Sequence, residues 1–81
     1  MSKETIDKLN YIIALITEFA QTHQLSVQQA YLYLRDYKGL DFMDEFYDVE
    51  HTQSFKNSVE DLTFYCQRMG GMLQWFFTTA F

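Results

Sequence analysis

The strongest constraint on this chain is an apolar spacing of three and four residues that runs through a sequence with no proline. Ile6, Leu9, Ile12, Ile13, Ile16, Phe19 and Ala20 recur at that interval. It is the period of a helix with one broad apolar face, not of a strand, whose side chains alternate. The pattern predicts a first helix over residues 3–23, with Ser2 as its N-cap and Glu4 and Asp7 near the positive end of its dipole. Thr22, His23 and Gln24 offer no further apolar support and end it.

The rest of the chain keeps the same period between clear stops. Ser26 followed by Gln29 is a capping box. It opens a second helix to about residue 37, with Val27, Ala30, Tyr31 and Leu34 as the inward stripe. Gly39 suits the left-handed position that stops a helix. Asp41 then caps a short third helix carrying Phe42, Met43, Phe46, Tyr47 and Val49. Thr52 or Ser54 caps a fourth, to about residue 69, with Phe55, Val59, Leu62, Cys66 and Met69 on one face, and Gly70 and Gly71 close it. The expected fold is all-α, a compact bundle of four helices, or five if the C-terminal end adds one, with short connections that favour antiparallel neighbours.

Two regions are expected: a helical domain over 1–71 and an apolar tail over 72–81 that docks on the bundle or on another chain. The tail has no charge and contains the run Trp75, Phe76, Phe77. Periodicity leaves open whether it is helix or strand. Eight Phe, six Tyr and one Trp are more aromatic area than an 81-residue core easily hides, so some rings are expected in a contact surface.

Charge narrows the function classes. The net charge is −5, and it is uneven. The first thirty-five residues balance, whereas Asp36, Asp41, Asp44, Glu45, Asp48, Glu50, Glu60 and Asp61 face only Lys38 and Lys56. Such a chain is a poor fit to nucleic acid or to an anionic membrane, both of which call for Lys and Arg. It suits a basic protein partner, or simply a solvated face that keeps the chain soluble. One cysteine, Cys66, a polar start without a signal peptide, and no apolar run of membrane-spanning length place the chain in the cytoplasm. Cys66 lies in an apolar stripe and is expected in the core.

No cofactor motif and no metal-ligand spacing is present: His23, His51 and Cys66 stand apart, and the acids of 41–50 lack the order of a calcium loop. The sharpest constellation is Tyr47, Asp48, His51 and Thr52. Asp48 and His51 are three apart and would meet on one helical face as a general-base pair. The competing structural account makes His51 the end of one helix and Thr52 a cap for the next, and it is preferred because no nucleophile or oxyanion loop accompanies the pair.

Over residues 6–70 the chain resembles a family of small uncharacterised bacterial proteins, a domain of unknown function of about this length. Leu25 and Ser26, the run Tyr37 to Met43, the run Phe46 to Ser54 with its Tyr-Asp-x-x-His-Thr core, and Val59, Glu60, Asp61, Leu62 and Tyr65 carry the likeness. The resemblance implies no established activity. It implies genes that often neighbour predicted ADP-ribosyltransferase-like toxins, and by that association an antitoxin or immunity role.

The leading expectation is therefore a non-catalytic protein–protein interaction module, antitoxin-like or regulatory, that binds a basic protein. Its contact face would be Phe42, Asp44, Glu45, Phe46, Tyr47 and Asp48, with Trp75, Phe76 and Phe77 as a second anchor and a homodimer as a further possibility. The alternatives are a helix-turn-helix DNA-binding regulator, built on the short turn at Gly39, and a small enzyme using His51.

Overall fold

The computed structural model describes residues 2–71, and everything below concerns those residues. They form five helices and no strand: α1 Lys3–Thr22, α2 Val27–Asp36, α3 Gly39–Glu45, α4 Tyr47–Glu50 and α5 Phe55–Arg68. The fold is all-α, as the apolar period requires. Among the described residues the fifth helix is the single turn α4; residues 72–81, including Trp75, Phe76 and Phe77, and with them the expected docking tail, lie outside the described residues.

Three serines start the three long helices. The Ser2 hydroxyl accepts from the Thr5 N–H, Ser26 and Gln29 form the reciprocal capping box, and the Ser54 hydroxyl accepts from the Asn57 N–H. Thr52 does not cap α5; its hydroxyl donates to the Val49 carbonyl at 2.7 Å. Two of the long helices, α1 and α5, also end by one device. At the end of α1, Gln24 turns left-handed (φ 57), and the Leu25 N–H reaches back to the Ala20 carbonyl at 2.8 Å. At the end of α5, Gly70 does the same (φ 96), and the Gly71 N–H reaches the Cys66 carbonyl at 2.9 Å.

Gly39 departs from expectation. The left-handed residue between α2 and α3 is Lys38 (φ 68), and Gly39 is the buried first residue of α3. It is there for space: a Cβ would stand 2.6 Å from Leu34 Cδ2 and 2.9 Å from Cys66 Sγ. Asp41 is accordingly not a cap but a first-turn residue of α3, which has no side-chain cap. The expected third helix is also broken at Phe46 (φ −103, ψ 19). Apolar spacing does not record that break, because it continues across it.

Leu15, Ile16, Phe19 and Ala20 of α1, Ala30, Tyr33 and Leu34 of α2, Met43 of α3, and Val59, Leu62 and Cys66 of α5 form the core. Phe19 stacks on Tyr33 with ring centroids 5.7 Å apart. Cys66 is fully buried as expected, and burial pushes its thiol pKa up to about 12, so it stays protonated and inert. The α2 stripe is rotated from the expected one. Tyr33 is buried, its hydroxyl donating to the Gly71 carbonyl, while Val27 and Tyr31 are exposed. Met69 is exposed too.

α1 packs on α2 and α5, and α3 packs on α2 and α5. Tyr11 meets Ser58, and His23 meets Thr63, so α5 runs in the same general direction as α1. No described helix is long and apolar enough to cross a membrane.

Candidate functional site

The segment 41–52 holds most of the residues singled out by sequence, and the structure divides them into an outer face and an inner knot. Asp41, Asp44, Glu45, Phe46, Asp48 and Val49 are exposed. Phe42 is half-buried against the core, its ring 5.0 Å from Phe46 and 4.7 Å from Tyr65. Tyr47 is half-buried, edge-on to Tyr11 at 5.4 Å and stacked on His51 at 4.5 Å. Of the three aromatic contact candidates here, then, Phe46 alone is well exposed, and Val49 joins it. The acids are partly answered from within the chain. Lys8 on α1 places its Nζ 2.6 Å from Asp44 Oδ1 and 5.6 Å from the Tyr47 ring centroid.

Glu50 belongs to the inner knot. It is 5% exposed, although the sequence counts it with the acidic run. The Tyr11 hydroxyl donates to Ser58 Oγ at 3.1 Å, and Ser58 Oγ lies 3.1 Å from both the Glu50 carbonyl oxygen and Glu50 Oε2. One serine hydroxyl thus accepts from α1 and donates to α4. Burial raises the Glu50 pKa, the Ser58 hydrogen bond opposes the rise, and the Asp61 carboxylate beside it adds to it. Burial likewise raises the Tyr11 pKa. Tyr47, His51 and Phe55 surround the Tyr11 ring at centroid distances of 5.4, 6.5 and 5.7 Å.

This arrangement decides the geometry of the Tyr-Asp-x-x-His-Thr core. His51 Nδ1 lies 2.6 Å from the Tyr47 carbonyl oxygen, to which it donates, and His51 caps α4. Asp48 does not orient it, so the general-base pairing expected on one helical face is not formed. The helix-end account of His51 is the one observed. The other histidine, His23, donates from Nε2 to Thr63 Oγ1 at 2.9 Å, because the Thr63 hydroxyl is itself committed to the Val59 carbonyl. Burial lowers its pKa. Among the described residues, no three His, Cys, Asp or Glu side chains converge as metal ligands.

Sequence reasoning missed Tyr11, Ser58 and Glu50 as one unit. Ser58 did leave a signal: a hydroxyl at the three-and-four spacing between Phe55 and Leu62 sits inside an apolar stripe and must find partners there. Nothing local distinguishes Glu50 from its exposed neighbours.

Fold and site together define a small acidic helical domain in which Tyr11, Ser58 and Glu50 tie three helices together. The chain belongs to the family described as Protein of unknown function (DUF3791), which it matches over residues 10–68. No curated protein and no solved structure matches it.

Proposed function

We propose that the chain is a non-catalytic interaction module, an antitoxin-like or regulatory partner of a basic cytoplasmic protein, which it meets through the outer face of α3 and α4. The observation that carries this reading is the pairing of exposed acids with exposed apolar groups there: Asp41, Glu45 and Asp48 beside Phe46 and Val49. Acids speed and orient the encounter with a basic surface, while the apolar groups supply contact area that is lost from water on docking. The neighbourhood of toxin-like genes implied for the family supports the same reading by association. Trp75, Phe76 and Phe77 remain proposed as a second anchor.

The experiment is affinity capture of the tagged protein from its native cells, alongside a variant carrying Asp41→Lys, Glu45→Lys and Asp48→Lys. All three residues are exposed and lack ion-pair partners among the described residues, so the variant should fold, as circular dichroism would check. The expected result is a stoichiometric basic partner on the parent chain and its loss from the variant, with an association rate reduced about 10–1000-fold on the purified pair. Equal capture by both chains would refute the assigned face.

A further inference from the structure

A second surface lies on the other side of α1, away from the acidic face, and it has the opposite character. Ile6, Leu9 and Ile13 of α1 are 44, 44 and 62% exposed, and Val27 and Tyr31 of α2 are 53 and 45% exposed. No described residue covers them. Ile13, Ile16, Val27, Gln28 and Tyr31 line an open groove of about 340 Å³ between the two helices. The first turns of α1 continue that face as a ridge, because Ile6 and Leu9 keep the helical spacing of Ile13 and Ile16.

From this geometry we infer that the chain forms a two-fold homodimer through the α1–α2 face, each copy laying its Ile6–Leu9 ridge in the Ile13–Tyr31 groove of the other. A ridge and a groove side by side on one surface are self-complementary, which is what a two-fold interface demands. Charge selects the same occupant. Residues 1–35 carry three acids and three bases, so two copies meet here without net repulsion, whereas the acidic middle of the chain would repel its own image. The size suits a modest dimer. Twenty residues of α1 span about 30 Å and ten residues of α2 about 15 Å, each helix about 10 Å wide, a footprint of about 450 Å². A stable dimer buries about 800 Å² of accessible surface per partner, and accessible surface exceeds the flat footprint. The acidic face stays outside this interface, so the inference does not rest on the function proposed above.

The test is size-exclusion chromatography with light scattering on the full chain, from about 1 μM to about 1 mM, the range that brackets ordinary dimer affinities. The expected mass is about twice the 9.7 kDa of one chain. Ile13→Lys and Tyr31→Lys change exposed side chains and should leave the helical circular dichroism intact. Each should weaken the dimer about a hundredfold, while Asp48→Lys leaves it unchanged. A monomer throughout the concentration range would overturn the inference, and so would a dimer that survives both lysine substitutions.

Discussion

The two halves of α1 rest on different chemistry. Its C-terminal half delivers Leu15, Ile16, Phe19 and Ala20 to a dry core shared with α2, α3 and α5. Its N-terminal half packs the Tyr11 ring among Tyr47, His51 and Phe55, and adds directional polar contacts: the Tyr11 hydroxyl opens the chain of hydrogen bonds to Ser58 and Glu50, and Lys8 pairs with Asp44. The first contact is non-directional and scales with area; the second depends on each partner being present. The Tyr47–Thr52 segment belongs to the second. Tyr47, Glu50 and His51 hold α4 against α1 and α5, and that leaves Asp48 and its acidic neighbours on the outside.

The difference is best broken from the dry side first. Phe19→Ala removes a fully buried ring and should cost about 3–5 kcal/mol, read from urea unfolding. Gly39→Ala adds a methyl where Leu34 and Cys66 already stand, both fully buried. It should cost about 1–3 kcal/mol by the same measurement, although alanine is the better helix former. In the knot, Ser58→Ala leaves the Tyr11 hydroxyl and the Glu50 carboxyl without their shared partner, for about 1–3 kcal/mol. The smallest effect should be a gain. Gln24→Gly relieves a left-handed residue at the end of α1 and should raise stability by about 0.5–1 kcal/mol, seen as a higher midpoint of unfolding.

The same contrast explains how much was legible in the sequence. The dry half was legible because burial there repeats with the helix. Phe19, Leu34, Leu62 and Cys66 fall on the expected faces, and the serine caps and the glycine stop at 70 follow from local chemistry. Where two elements could use the same apolar residue, spacing alone did not choose. Val27 and Tyr31 were expected inside, but α2 is turned so that Tyr33 can reach Gly71. Gly39 was legible as a special position but not in its reason, because a close approach of three helices leaves no local trace. The knot was largely hidden. An acid among acids looks like solvated surface, and Glu50 is buried by tertiary packing, with Ser58 of α5 as its partner.

The claim that an internal knot holds α4 can be tested through the titration of Glu50. Its pKa in the folded protein is raised above the ordinary 4.5, so the folded state holds the proton more tightly than the unfolded chain does. The stability this confers is complete below pH 4.5 and is lost as pH rises through the folded value. His23, whose pKa is lowered, acts in the opposite sense, losing its contribution as pH falls below 6.5; it is common to parent and variant and cancels in their difference. The decisive measurement is therefore the unfolding free energy of the parent and of Glu50→Gln from pH 4 to pH 8, by urea titration. The account predicts that the variant gains on the parent as pH rises above 4.5, because its amide sheds the burden of a buried charge. A difference that stays constant across that range would show Glu50 titrating like an exposed acid, and would contradict the knot.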